Sequence, residues 1–482
     1  VYTSVKTAMQ QKNIARTLGY ALLGLLTLSG SKAAGQQSQP SRPPLTLRGA
    51  VDSALRLNPA LAASELGVKG AELDQRKNRG KLLPEINLSG SYSLMLKKQK
   101  VYFGGGDSGG AMPGGAPSPF GNLFGGDGIE MGERHSLQGG INAGMPLIAP
   151  QLWASLQLDQ RAVELAEEKA RGSRVALISE VRKAYLGVLL ARESARTLQS
   201  SYDNTQQNYQ QITQKYEHGL VAEYDKIRME TQLKNLLPQL LSARNTERLA
   251  EAKLKVVMGL PLSDSISLGE ALPAYEEQIF GLLPESGEHA ATTLSLERNS
   301  DLRSLGLQQR QLEAALKVKK AAFLPTLSLS FTYQYNYAAD QLRLDNSKRW
   351  SPFSTLGLSL NVPLYNGGAR YNDLRASRVQ IQQLQLQRLA TQRQLELGLE
   401  NARTEQRNAL ATFVAARDAV ASASRGHEIA CVRYSSGAST LLELNDAELA
   451  LLQARLALSQ AIHQYMISVF SLDELQGLDQ LP

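Results

Sequence analysis

Glu443 and Asp446, within "TLLELNDAELAL", stand three residues apart and so share one face of a helix. Two carboxylates on one face make a negative surface that attracts cations. The same stretch allows a second reading, because Thr440 followed by Glu443 has the spacing of a capping box, in which the glutamate serves the helix start. Capping does not account for Asp446. Other residues with chemical potential are poorly arranged for it. His135, His218, His289, His427 and His463 show no H-E-x-x-H or comparable ligand spacing, so no metal site is expected. Cys431, the single cysteine, falls in a helical pattern and reads as a small buried hydrophobe. No G-x-S-x-G occurs, and the glycines of 103–128 lack the GxxxxGK[ST] order of a phosphate cradle, which leaves that stretch as an external loop. Neither an enzyme nor a cofactor is expected.

The bulk composition narrows the partners. The 482 residues carry a formal charge of +7, but Lys6, Lys12, Arg16 and Lys32 sit together in an N-terminal segment without acids, and the rest is close to balanced. No basic run interleaved with aromatics follows, so nucleic acid is not an expected partner. The segment 1–33 has a basic start, the apolar run "LGYALLGLLTLSG" and small residues around Ala33, the pattern of a secretory signal cut after Ala33. No later run has the length of a transmembrane helix, so entry into a membrane would have to be by strands.

The chain repeats itself. "LRLNPALAASELGVKGAELDQRKNRGKLLPEINLSGSYSL" matches "LERNSDLRSLGLQQRQLEAALKVKKAAFLPTLSLSFTYQY" at a constant offset of 241, as from Asn58 to Asn299, and Tyr216 matches Tyr434 at 218. Each half reads as a helix of about seven turns, a strand pair, a very long helix, a glycine break and a further helix. The first repeat covers 45–260, with strands within 85–147 and helices over 151–216 and 222–258. A linker over 261–291 separates it from the second, 292–477, with strands within 325–363 and helices over 369–434 and 440–474. Helices of such length would reach about 100 Å, more than a globular domain holds. On the second, Leu374, Ile381 and Leu384 form one apolar stripe and Val379, Leu386 and Leu389 another, about 140° away. Two stripes suit a stave with neighbours on both sides, or a two-stranded coiled coil with a widened seam.

The strand segments alternate. Leu327, Leu329, Phe331, Tyr333 and Tyr335 point one way and Ser328, Ser330, Thr332 and Gln334 the other. Apolar-outward segments of about ten residues suit a transmembrane barrel, with Tyr333, Tyr335, Tyr337 and Trp350 gathered as an interfacial belt. A soluble β-sandwich face would alternate in the same way. Four strands are too few to close a barrel, for which about eight is the minimum.

The signal segment, the duplicated halves and the "LP" strand entries, with "LRGAVDSALRLNPAL", "VPLYNGGARYNDLRAS" and "YSSGASTLLELNDAELAL", resemble the TolC family of outer-membrane efflux proteins. The resemblance implies a mainly α fold with a transmembrane β-barrel. A homotrimer would share one twelve-stranded barrel, standing in outer-membrane lipid and continuing into a long periplasmic α-helical cylinder. It implies a passive exit duct of a tripartite efflux pump or one-step secretion system, partnered by a periplasmic adaptor (membrane fusion) protein and an inner-membrane transporter. A dedicated type I protein-secretion duct is an alternative, and a soluble periplasmic coiled-coil scaffold is a rival of another class. Within the resemblance, Tyr216, Gly219, Leu220, Tyr434, Gly437 and Ala438 are adaptor-contact positions at two helical tips. Glu443 and Asp446 would form stacked carboxylate rings at the pore constriction; only the second half carries both acids, since Asp225 and Arg228 stand at the equivalent first-half positions.

Overall fold

The computed structural model describes residues 44–101, 129–281, 295–345 and 347–478. The signal segment 1–33, the glycine-rich loop 103–128 and the last part of the linker, 282–291, lie outside the described residues. Among the described residues eight α-helices and six strands follow in order. They are α1 (Leu47–Leu57), α2 (Pro59–Gly80), β1 (Glu85–Leu94), β2 (Gln99–Val101), β3 (Ile129–Met131), β4 (His135–Ile148), α3 (Pro150–Glu217), α4 (Glu223–Met258), α5 (Ala274–Gly281), α6 (Ser300–Ala321), β5 (Thr326–Ala339), β6 (Trp350–Asn361), α7 (Ala369–Ser435) and α8 (Leu441–Gln476). Among the described residues no helix is long and apolar enough to cross a membrane.

The first helix of the first half differs from the expected seven turns. It is broken at Asn58-Pro59, because proline disfavours helical backbone in the residue before it and cannot donate to the preceding turn. Asn58 turns the break into a joint. Its Oδ1 caps α2 by accepting from Ala60 N (2.8 Å) and Leu61 N (3.1 Å), while its Nδ2 donates to Val257 O (2.8 Å) in the last turn of α4. The repeat builds the joint twice. Asn299 accepts from Asp301 N (3.0 Å) and Leu302 N (3.2 Å) at the start of α6 and donates to Leu475 O (2.9 Å) near the end of α8. Thus α4 stacks end to end on α2, and α8 on α6.

Two continuous helices and two stacked pairs make four staves. Beside the sheet they lie in the order α2, α3, α6, α7, and beyond the joints in the order α4, α3, α8, α7. The sheet repeats the first of these orders. Its strands run β1-β4-β5-β6, all antiparallel, and each adjoins its own stave in sequence. Pairing of β4 with β5 joins the halves.

Register sorts the sheet's two faces. Leu88, Ile141 and Tyr333 lie in one cross-strand row, and Ile86, Ala143, Phe331 and Leu356 in the next. On the reverse face Asn87, Asn142, Thr332 and Thr355 align, and Asn142 Nδ2 donates to Ser89 Oγ at 2.9 Å. Among the described residues nothing covers the apolar side, where Leu88 is 83 % and Leu356 71 % exposed. Tyr333 and Tyr335 are half-exposed on that side, their rings meeting edge to face at 5.6 Å. Tyr337 corrects the expectation of an interfacial belt. It is 0 % exposed, packs on Trp350 at 5.3 Å, and its hydroxyl donates to Arg343 O and accepts from Arg343 N, both at 2.9 Å. It organises the β5–β6 turn. The short ladder of β2 with β3 was not expected either; next to it Lys98 Nζ pairs with Asp340 at 2.6 Å, tying the hairpin of the first half to that of the second.

The main core lies midway, where α1, α3, α4, α7 and α8 converge on Val51, Val181, Tyr185, Leu186, Leu254 and Phe413. The linker joins it. Leu272 and Ile279 are buried there, and Leu45 N donates to Ser267 O at 2.7 Å while Gly269 N donates to Leu45 O at 3.0 Å.

Gly259 and Gly477 end the lower helices at the joints with φ of +75° and +69°, and an added Cβ would strike the carbonyl oxygens of Leu57 and Arg298. Gly219, with φ of +72°, has open space around it. Alanine at Gly219 should therefore cost only the left-handed backbone penalty, roughly 1 kcal/mol. Alanine at Gly477 should cost clearly more, read as a larger fall in the midpoint of denaturant-induced loss of helical circular dichroism. Equal falls would mean that the joints are not tight.

Candidate functional site

Two helical hairpins end at tips built to the same plan. Each is a Schellman closure in which a glycine with positive φ lets the last carbonyls be capped without a Cβ penalty. At the first, Gly219 N donates to Tyr216 O (2.9 Å) and Leu220 N to Lys215 O (2.8 Å). At the second, Gly437 (φ +75°) donates to Tyr434 O (3.1 Å) and Ala438 N to Arg433 O (2.8 Å).

The tips adjoin each other within one chain. Lys215 of the first lies over the Tyr434 ring of the second at 5.3 Å, and Lys226 covers Tyr216 at 5.1 Å. Beneath them Ile212, Met229 and Leu441 form a small core joined by Tyr209, Val221 and Tyr434. Leu220 is 74 % exposed, and Gly219, Gly437 and Ala438 are exposed too. Tyr216 and Tyr434 are half-buried, so these two expected contact residues spend much of their rings inside the chain. Burial, and then the charge of Asp225, pushes the Tyr434 hydroxyl above its ordinary value.

The two acids differ. Thr440 Oγ1 accepts from Glu443 N at 3.3 Å, and the Glu443 carboxylate pairs with Arg433 Nη2 at 3.7 Å. Glu443 thus combines a capping position with an ion pair across the tip, and it is half-exposed. Asp446, one turn on, is exposed and has no ion-pair or hydrogen-bond partner among the described residues.

Just behind lies a layer not anticipated from the sequence. Over the first twelve residues of α8 the buried positions are Leu441, Leu444, Asn445, Glu448, Leu451 and Leu452, a heptad seam in which two members are polar. Asn445 and Glu448 are buried at 5 % and 7 % exposure, Thr205 of α3 is buried with them, and Thr205 Oγ1, both Asn445 amide atoms and both Glu448 oxygens lack a protein hydrogen-bond partner. Apolar clusters flank the layer: the small core beneath the tips on one side, and Leu198, Leu236, Leu240 and Leu452 on the other. Burial pushes the Glu448 carboxyl up, opposed by the Thr205 hydroxyl, whose geometry falls short of a hydrogen bond. The interruption of the leucine spacing was the signal available in the sequence. Cys431 corrects the expectation of a buried hydrophobe: it is exposed, 3.6 Å from His427 Nε2. Among the described residues no group of three or more potential ligands could hold a metal ion.

Comparison with known proteins bears on the whole chain. A family model described as outer membrane efflux protein matches residues 50–260 and 292–478. The chain is 24 % identical to the outer membrane protein TolC of Vibrio cholerae over 408 residues, 83 % of either sequence. It is 26 % identical to the pyoverdine export outer membrane protein OpmQ of Pseudomonas aeruginosa over 299 residues, 59 % of either sequence. Its fold is similar to that of the CmeC outer membrane channel of Campylobacter jejuni (TM-score 0.68, 17 % identity, 94 % of both chains). The open state of the MtrE outer membrane channel of Neisseria gonorrhoeae is similar as well (TM-score 0.67, 16 % identity, 93 % of this chain and 95 % of that one).

A carboxyl held above its unfolded value binds protons in the folded state that it releases on unfolding, so stability is full below the unfolded value near 4.5 and falls as pH rises towards the folded one. Glu448→Gln should remove that fall and slow thermal unfolding in detergent at neutral pH, a gain of roughly 1–2 kcal/mol. An unchanged pH profile would show that the carboxyl is not the source.

Proposed function

The chain belongs to the outer membrane efflux protein family, and on that premise we propose that it is a passive exit duct whose barrel is shared among three copies and whose pore narrows at the paired helix tips. It is a protein of the outer membrane that extends into the periplasm. The observation that carries the reading is the four-stranded sheet with one apolar and one polar face, two open edges, and helical staves continuing its strands in the same order. In lipid, backbone groups on an open edge would go unpaired at several kcal/mol each, so the edges of β1 and β6 must meet strands of other copies. Three copies supply twelve strands.

The staves support the same closure. On α7 the stripe of Leu374, Ile381 and Leu384 packs within the chain, Leu384 being buried, whereas Val379, Leu386 and Leu389 are exposed and await a neighbour. Closing a ring of staves would place that second stripe against the next copy and leave a hollow cylinder under the barrel.

Within the proposal, Tyr216, Gly219, Leu220, Tyr434, Gly437 and Ala438 form the end that a periplasmic adaptor grips, and an inner-membrane transporter supplies the energy. Asp446 forms a ring of three carboxylates about the pore axis, which attracts cations and lets multivalent ones block. Glu443, already held by Arg433, contributes less. Opening requires α8 to part from α3, and the layer of Thr205, Asn445 and Glu448 is the place in that seam with least to lose.

Planar bilayers test the ring. The parent channel should conduct and be blocked by multivalent cations from the periplasmic side, and Asp446→Ala should weaken that block about tenfold or more, with Glu443→Ala weaker in effect. Block unchanged in Asp446→Ala would remove Asp446 from the pore. A protein recovered wholly in the soluble periplasmic fraction would end the channel reading itself.

A further inference from the structure

Three of the four staves carry cations where they meet the sheet. On α2 these are Arg76 and Arg79, and the repeat sets Lys317 and Lys320 at the same positions of α6, 241 residues on. Each pair is spaced i, i+3 on one helix face and is exposed. On α7, which follows β6, Arg375 and Arg378 repeat the spacing and are exposed within one copy; at roughly 100° per residue Arg378 falls between the two apolar stripes, whereas Arg375 lies about 40° from Val379, on the side that closes on the next copy. None of these six meets a carboxylate among the described residues; Lys317 reaches Gln157 at 3.5 Å, and Arg375 lies over the Tyr371 ring at 4.5 Å.

Cations often end helices because they complement the helix dipole, which would account for α2 and α6. It does not account for α7. Arg370 in its first turn, followed by Arg375 and Arg378, stands at the N-terminal end, where the dipole disfavours positive charge. What the three groups share is their place along the wall, within ten helical residues of the helix end nearest the sheet.

Their direction follows from α2. Lys77 and Lys81 border a cleft of about 700 Å³ over Asn87, Asn142 and Ser330, on the polar face of the sheet. At roughly 100° per residue Arg79 lies about 160° from both lysines and Arg76 about 100–140° from them. The arginines therefore point away from the polar face, towards the side on which the apolar face looks out. Exposed apolar and aromatic residues occupy the same level: Leu83, Phe323, Leu324, Leu364, Tyr365 and Tyr371.

We propose that this belt binds the anionic headgroups of phospholipids in the leaflet at the periplasmic end of the barrel, the i, i+3 pairs of α2 and α6 each holding one phosphate and Arg378 adding its charge at the same level. The proposal rests on reading the sheet as a third of a membrane barrel. Cation clusters beside a membrane-spanning element attract anionic lipid within a Debye length, and aromatic rings at the same level sit in the interface. The lipopolysaccharide leaflet lies at the other ends of the strands, near the β5–β6 turn.

The full-length parent is placed in nanodiscs of phosphatidylcholine mixed with phosphatidylglycerol, and the lipids it retains are counted by native mass spectrometry. Retained lipid should be enriched at least threefold in phosphatidylglycerol at low ionic strength, and the enrichment should vanish at high salt. A variant carrying Arg76→Gln, Arg79→Gln, Lys317→Gln and Lys320→Gln should lose most of the enrichment while keeping its oligomeric state and conductance. Retention of the two lipids in the proportion supplied, or enrichment indifferent to salt, overturns the proposal, and both are read on the parent irrespective of how the variant folds. When purified lipopolysaccharide is also supplied, displacement of phosphatidylglycerol by it overturns the proposal as well. A parent that enters no bilayer at all would bring down the barrel reading, and this proposal with it.

Discussion

The structure turns on the unpaired backbone at the two edges of one sheet. A sheet whose apolar face is bare cannot remain in water, and one whose edges are bare cannot remain in lipid. A closed ring completed by further copies meets both demands. Because the strands lead into staves in the same order, closing the strands also closes the staves, and the barrel prescribes the cylinder beneath it.

The cylinder has a harder geometric task than the barrel, since its wall must stay continuous over roughly 100 Å. Two staves solve it as single helices, α3 and α7. The others are spliced, and the splice is the same in both halves: an asparagine caps the upper helix and donates to the last turn of the lower one, while a glycine lets the two backbone segments pass closely. Around the first splice the linker and α1 add the main core. The middle of the wall is therefore its best-anchored part. The tips, with a core of a few side chains and a polar layer above it, are its loosest.

That gradient has functional sense. On the proposed reading, a duct that opens at its tips would combine a firmly anchored middle with weak packing where it parts. Local opening is drawn from regions with few buried apolar contacts, and a buried carboxylate lacking a partner reduces the favourable packing of its layer further. Asp446 lies a single turn from this layer, so any motion that separates α8 from α3 also moves the acid.

Much of this was legible in the chain. The duplication, the alternation of the strands, the reach of the long helices and the tip glycines are local signals, each carried by residues near one another in sequence, and local spacing suffices to read them. Glu443 as a cap belongs with them. Asp446 could be singled out because no local role explains it. Other features needed partners from far along the chain: Asn58 finds Val257 some 199 residues away, and Tyr337 is buried by a turn whose backbone happens to fold over its hydroxyl. Thr205, Asn445 and Glu448 become a layer only when α3 and α8 lie side by side. The sequence by itself determined the long helices, the four main strands and the tip turns and that they occur twice, because those choices are made by neighbours within a few residues. Only the tertiary structure decided the order of the staves, the splices between them and which polar side chains are shut in the seam, because burial is settled by what packs against a residue, whatever precedes it.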